Sequence, residues 1–280
     1  MPLEGKVVIL TGGAGGIGKK IAAKLLRQRG RLVIADVEKG SLELAVRDLA
    51  SFGEIEGHVL DVSNAGEVLS FENRVVARHG TADVLINAAG IQAPIGAFWE
   101  NDIGEWARNI QVNLMGTVIC CRAFAPVFMG KKAGKIVNFA GGGANAPRPR
   151  FSAYGTAKAG VVRFTETLAE ELRSFGVQVN AVSPGVIRTR MIEETLEAGF
   201  EKAGPEYNQL RARETTGFDD PENVADLVGW LASDASNGLT GRIISAVWDP
   251  WRTWTDGAAG ELDKDLYVLR RIDARNFKKA

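Results

Sequence analysis

The chain has 280 residues, 45% of them hydrophobic, which is enough to bury a sizeable core as one large α/β domain. Its 34 Lys and Arg balance 34 Asp and Glu, so no global basic field points to nucleic acid. No apolar leader follows a basic start, no run of about 18 apolar residues suggests a membrane span, and adjacent Cys120 and Cys121 suit a buried reduced pair. These features set the expectation of a cytoplasmic protein with no nucleic-acid or membrane partner.

Taken in order, residues 6–11 form a continuous apolar run bounded by glycines, as expected of a strand buried on both faces. Thr11, Gly12, Gly13, Ala14, Gly15, Gly16, Ile17 and Gly18 follow, then a helical pattern to Gly30 and a second strand over 31–36. Strand, glycine turn, helix and strand within about thirty residues is the context of a dinucleotide fingerprint. The glycines let backbone approach a pyrophosphate, and the helix N-terminus offers N–H groups and a positive dipole end. Asp36 closes the second strand, where a carboxylate can accept hydrogen bonds from the ribose of NAD and repel a 2′-phosphate. Val37 beside it supplies no cation for such a phosphate, so NAD is the expected cofactor. The plainer role for Asp36 is capping the next helix.

The alternation continues with helices over 41–51 and 65–79, strands over 57–61 and 83–87, and a long helix over 103–130. A strand over 135–139, a helix over 153–175 and a strand over 177–182 come next. A polar, helix-prone stretch over 188–218, a helix from Pro221 and a last strand over 242–248 complete it. This pattern predicts a doubly wound parallel sheet, a Rossmann fold of about seven strands with helices on both faces and ligands at the carboxyl ends of the strands. One domain is expected over 1–250, with an extension over 251–280 packed on it or on a neighbouring subunit.

The chemistry concentrates in residues 134–160. Tyr154 and Lys158 sit four apart at a helix start, so they share a face, and a nearby cation lowers a phenol's pKa toward acid/base use. Alone, the same spacing also describes a surface packing pair. The preceding loop carries Gly141, Gly142 and Gly143, then Arg148 and Arg150 stiffened by Pro147 and Pro149. Arg188, Arg190, Arg211 and Arg213 follow later. Guanidinium groups suit carboxylate or phosphate, which predicts a polar, anionic substrate such as a sugar phosphate or hydroxy acid. The competing reading pairs these arginines with Glu193, Glu194 or Glu214, or leaves them facing water.

In this order the motifs resemble the short-chain dehydrogenase/reductase superfamily, its single-domain branch, over about residues 3–248. The resemblance implies that Thr11, Gly12, Gly16, Ile17 and Gly18 form the cofactor turn and that Asp61 and Val62 flank the adenine. It implies that Asn87, Ala88 and Gly90 steady the central sheet beside the cofactor. Asn113 matches the helix asparagine of the catalytic tetrad, which orders a relay water, and Tyr154 and Lys158 match its acid/base pair. Pro184, Gly185, Ile187 and Thr189 match the segment closing over the nicotinamide. The family's serine, thirteen residues before the tyrosine, is here Gly141. Backbone N–H groups of the glycine loop, Asn145 or Ser152 are its conceivable replacements. The end also departs, with Trp248, Asp249, Pro250 and Trp251 where relatives carry an acidic residue and two glycines.

The function implied is an NAD-dependent alcohol dehydrogenase or ketoreductase. The alternatives are a non-catalytic NAD-binding regulatory or scaffold subunit, or a redox-neutral dehydration or epimerisation. A homodimer or homotetramer is expected, because the two long helices carry Val118, Ile119, Phe124, Val161, Val162 and Phe164 on more than one face.

Overall fold

Alternate side chains of a strand point to opposite faces, and Val7–Thr11 (β1) is buried on both. Val8 and Leu10 enter a core with Ile21, Leu25, Ile34, Leu227 and Trp230. Val7 and Ile9 enter the other, with Phe71, Phe124, Phe128 and Val179. The computed structural model describes residues 2–254, 262–263 and 265–271. Within them, β1 is followed by Gly16–Arg27 (α1), Arg31–Asp36 (β2), Lys39–Leu49 (α2), Ile55–Val59 (β3) and Ala65–His79 (α3). Then come Val84–Asn87 (β4), Ile103–Ile110 (α4), Gly116–Lys131 (α5), Gly134–Phe139 (β5) and Ser152–Leu172 (α6). Val177–Ser183 (β6), Arg190–Ala203 (α7), Pro205–Thr216 (α8), Pro221–Ala232 (α9) and Ile243–Ser245 (β7) follow.

The sheet is parallel throughout, in the order β3-β2-β1-β4-β5-β6-β7. Strand order reverses between β1 and β4, so the loops leaving those two strands diverge and open a crevice. Thr11, Asn87 and Asn138 lie in one row at the carboxyl end. Asn87 Nδ2 donates to Asn138 Oδ1 at 2.9 Å, and Asn138 Nδ2 donates to Thr165 Oγ1 of α6 at 2.9 Å. These buried bonds contribute about 1 kcal/mol each, and leaving one unmade costs more. They fix α6, which carries Tyr154 and Lys158, against the sheet.

Differences from the sequence pattern have local causes. The third strand runs over 55–59 rather than 57–61 because it pairs with β2 from Leu32–Ile55 to Asp36–Val59, with Gly57 inside it, where a Cβ would lie 2.8 Å from Val46 of α2. The expected helix over 103–130 is continuous to Lys131, but Gln111–Met115 form a π-helical turn between α4 and α5. Within Ile103–Lys131 an 18-residue window of mean hydropathy 1.6 is apolar enough to cross a membrane, contrary to the expectation that no such run exists. In the fold its Phe124 and Phe128 close the core. β7 stops at Ser245 because Ser245 Oγ accepts from the Val247 and Trp248 N–H groups while Asp249 Oδ2 accepts from Ser245 N–H, turning the chain.

Of the extension over 251–280, residues 255–261, 264 and 272–280 lie outside the described residues. In the described part, Trp251 packs on Trp230 and Ile243 N–H donates to Tyr267 O at 2.8 Å. Leu269 N–H donates to Glu166 Oε1 of α6 at 2.6 Å. The extension therefore covers the outer edge of β7. Of the apolar residues expected on more than one face of the two long helices, Phe124, Val161 and Val162 are buried in the chain's own core, while Val118, Ile119 and Phe164 are half-buried.

Phe124 is fully buried and meets Phe71 edge-on at 6.1 Å between ring centroids. Phe124→Ala removes this wedge, and unfolding free energy is expected to fall by about 3–5 kcal/mol. Urea unfolding monitored by circular dichroism checks this; a midpoint that does not move contradicts it.

Candidate active site

The glycine turn is built by close approach. Gly12 has φ +70°, and a Cβ there would lie 2.7 Å from Ala89 N and 2.9 Å from Ala88 C, so the turn rests on the backbone leaving β4. A Cβ on Gly18 would lie 2.1 Å from Gly12 O. Ala89 N–H donates to Thr11 Oγ1 at 3.3 Å. The N-cap of α1 is Gly15, which brings no side-chain acceptor, so the first-turn N–H groups point into the crevice without one. Gly16 faces Thr189 across it, 4.0 Å from a Cβ position to Thr189 Cγ2.

Asp36 Oδ2 accepts from Ala14 N–H at 3.1 Å and Oδ1 from Glu38 N–H at 3.2 Å. Its carboxylate thus ties the end of β2 to the glycine turn, while the N-cap position of α2 is Glu38. Asp61 accepts from Ser63 N–H and Oγ in a turn before α3, and Val62 packs on Gly116. On the far side, Gly185 has φ +87°, and Asp219 Oδ2 accepts from Val186 N–H at 2.7 Å, fixing the 184–189 segment; Ile187 is buried and Thr189 stands at the N-cap position of α7 without a side-chain cap bond.

Asn113 lies fully buried in the π-helical turn. Its Nδ2 donates to Ile91 O at 2.8 Å and Asn109 Oδ1 at 2.8 Å, and its Oδ1 accepts from Ile91 N–H at 3.2 Å. These bonds tie the side chain to the loop after β4 and to Asn109 of α4, so it holds that loop in place. A Cβ on Gly90 would lie 2.5 Å from Asn113 Oδ1 and 3.7 Å from Lys158 Nζ, which is why glycine stands there.

Tyr154 and Lys158 lie on one face of α6, with Nζ 5.5 Å from the ring centroid. Lys158 Nζ donates to Phe139 O at 2.8 Å, and burial pulls its pKa down to about 8. Burial pushes the Tyr154 phenol above its usual range; Arg148 opposes that rise and Glu206 reinforces it. This corrects the sequence expectation of a cation-lowered phenol: desolvation outweighs the cations, and Lys158 is committed to a carbonyl. A Cβ on Gly141 would lie 2.6 Å from Tyr154 Oη, so the hydroxyl rests over a bare Cα. Ser152 Oγ accepts from Trp106 Nε1 at 3.1 Å, and Asn145 is exposed.

The arginines are largely engaged. Arg188 pairs with Glu193 at 2.7 Å, Arg190 with Glu194 at 3.1 Å, Arg211 with Glu214, and Arg213 with Asp219 at 3.1 Å. Arg148 forks onto Glu206 and reaches Gln92 Oε1 at 3.0 Å, while a Cβ on Gly142 would lie 3.5 Å from its Cδ. Among the described residues Arg150 alone of these six has no carboxylate partner. The sequence reading missed Asn109, Gln92, Glu206 and Asp219. Only Asn109, four before Asn113 on one helix face, carried a local signal; its Nδ2 donates to Ala93 O at 2.7 Å.

A glycine turn at the switch point of a parallel sheet, facing a buried tyrosine–lysine pair, defines a nucleotide-binding α/β protein with an acid/base centre. Comparison with known proteins narrows this class. Residues 6–198 match the family model described as short chain dehydrogenase, and the chain belongs to that family. It is 36% identical over 248 residues to the 3-oxoacyl-(acyl-carrier-protein) reductase FabG of Thermotoga maritima, covering 87% of this chain and 97% of that one. Among solved structures it resembles an NAD+-bound xylitol dehydrogenase, with a TM-score of 0.80, 27% identity, and 88% and 98% of the two chains covered. It also resembles a variant actinorhodin polyketide ketoreductase with NADPH, with a TM-score of 0.79, 27% identity, and 86% and 95% covered. The chain is thus of the oxidoreductase kind that acts on alcohols and ketones with a nicotinamide cofactor.

Proposed function

We propose that this protein is an NAD-dependent dehydrogenase or ketoreductase acting on a secondary alcohol or ketone of a polar, sugar-like or hydroxy-acid substrate. The observation that carries the reading is the Tyr154 hydroxyl lying open over Gly141, beside buried Lys158, at the carboxyl edge of the sheet. The crevice fits a dinucleotide: Cβ atoms at Gly12 and Gly18 would strike backbone, and the first turn of α1 has no side-chain cap. Thr11, Gly12, Gly16, Ile17 and Gly18 would hold the pyrophosphate and Asp36 the ribose. Asp61, Val62, Asn87, Ala88 and Gly90 would line the adenosine side, and Pro184, Gly185, Ile187 and Thr189 the nicotinamide side. When bound, NAD supplies the acceptor or donor of hydride.

The chain's own groups handle the proton. Tyr154 Oη exchanges it with the substrate oxygen, and a phenol kept protonated by burial suits donation to a ketone. Lys158 keeps a donor beside the ring, and Asn113 holds the Gly90–Ile91 backbone next to it. With five of six arginines paired, an anionic group on the substrate falls to Arg150. Arg150→Met is expected to raise KM for an anionic substrate about tenfold, the effect of losing about 1.4 kcal/mol of binding. An unchanged KM removes the anionic part of the reading.

Asp36 is held against the glycine turn by Ala14 N–H, so a 2′-phosphate would meet a fixed carboxylate. NAD is expected to bind at least about tenfold more tightly than NADP, and Asp36→Ala to erase that preference. Calorimetric titration of both cofactors decides it, and equal affinities for the unaltered chain contradict it. We further propose assembly as a homodimer or homotetramer.

A second reading, an NAD-binding regulatory or scaffold subunit, is favoured by one residue. Gly141 stands where the family resemblance expects a serine hydroxyl, and loss of such a donor costs about 10²–10³ in rate if nothing replaces it. A coupled screen of polyols, sugar phosphates, hydroxy acids and acyl ketones separates the two. Turnover supports the enzyme; tight NAD binding without turnover across the panel supports the subunit.

A further inference from the structure

We propose that Arg148 and Glu206 form an adjustable charge at this centre: Arg148 is a positioning residue whose guanidinium acts on the Tyr154 phenol, and Glu206 sets how much of that charge the phenol feels. This rests on the reading of Tyr154 as the acid/base group.

Arg148 lies in the loop between β5 and α6, with its guanidinium carbon 4.0 Å from the Phe151 ring centroid and 5.1 Å from that of Tyr154. Its side chain is only 14% exposed and that of Glu206 20%, so solvent screens the pair weakly. Arg148 Nε donates to Glu206 Oε2 at 2.8 Å, and Nη2 donates to Glu206 Oε1 and to Gln92 Oε1. Gln92 Nε2 in turn donates to Met191 O at 2.7 Å and Thr195 Oγ1 at 2.5 Å on α7. One guanidinium thus joins the loop after β4, the loop after β5 and the first turn of α8 around the phenol.

A guanidinium stays charged at any working pH, so its effect on the phenol changes only with its position or its counter-charge. Glu206 is that counter-charge, carried by α8, whereas Arg148 and Tyr154 flank the start of α6. The remaining neighbours are Lys158 on α6, Tyr207 on α8, and apolar Ile95 and Met191 from the loop after β4 and from α7. Lys158 is tied to Phe139 O and does not travel with α8, which leaves the Arg148–Glu206 pair as the element that α8 can vary. Movement of α8 that withdraws Glu206 would expose the phenol to the full cation. The catalytic group would then respond to whatever docks between α8 and the glycine loop.

The test uses the full chain carrying 3-fluorotyrosine, whose fluorine resonance reports phenol ionisation directly and whose greater acidity brings the titration to a milder pH that spares the fold. The chain has three tyrosines, so Tyr154→Phe assigns the signal. Glu206→Gln keeps a side chain of the same shape and is expected to move the Tyr154 midpoint down by about one pH unit. Arg148→Met is expected to move it up by a similar amount, with Arg148→Lys in between. Midpoints that stay put, or that move in the same direction in both variants, overturn the proposal and leave a purely structural ion pair. If Arg148→Met fails to fold, Glu206→Gln decides alone. The titration needs no turnover, so a chain that proves inactive on every substrate leaves this result standing, and an active chain with unmoved midpoints refutes only this inference.

Discussion

Tyr154→Phe is expected to lower kcat by about 10²–10⁴-fold while NAD affinity stays nearly unchanged. The substitution removes one oxygen atom and keeps the ring against Phe151 and Ala203. Among the described residues no group hydrogen-bonds to Tyr154 Oη, so no internal partner is orphaned and the fold is expected to persist. The loss should therefore appear in the chemical step and not in cofactor titration. Unchanged turnover removes Tyr154 from the chemistry; a parallel loss of NAD binding reassigns it to cofactor packing.

Gly141→Ser is the second large effect, and the geometry gives it a sign. A Cβ at this position would lie 2.6 Å from Tyr154 Oη and 3.3 Å from two ring carbons, closer than carbon and oxygen can approach. The phenol must move, and displacements of about an ångström at a reacting group cost about 10²-fold. Both Gly141→Ser and Gly141→Ala are expected to lose activity, the alanine variant as much as the serine. Activity above that of the unaltered chain in Gly141→Ser, together with a loss in Gly141→Ala, would show instead that the site lacks a hydroxyl donor and tolerates the Cβ.

Much of this was legible locally. The 6–36 stretch announces strand, glycine turn, helix and strand because each period is short-range, and β1, α1 and β2 fall there. Tyr154 and Lys158 share a face because they are four apart on a helix. The pairing of Arg190 with Glu194 and of Arg211 with Glu214 follows the same rule, which is why the plainer reading of those arginines held. What was not legible depends on distant packing. Glu206 neutralises Arg148 from 58 positions away, and Gln92 meets Thr195 across 103. The phenol's raised pKa arises from burial among Ile95, Met191 and Tyr207, contributed by three separate elements. No local pattern marks Asn113 as sitting in a π-helical turn with its side chain against Ile91.

The most direct test follows an isotope. A substrate from the screen, deuterated at its carbinol carbon, is incubated with the full chain and NAD+, and the reduced nicotinamide is isolated and examined by mass spectrometry. Hydride transfer predicts deuterium in the NADH at the rate of turnover, with none in the product of the Tyr154→Phe variant on the same timescale. Deuterium lost to solvent, with NAD+ unchanged, would mean redox-neutral proton chemistry. Deuterium retained in the substrate while NAD+ stays bound would mean a cofactor-binding protein without turnover, and either result contradicts the account.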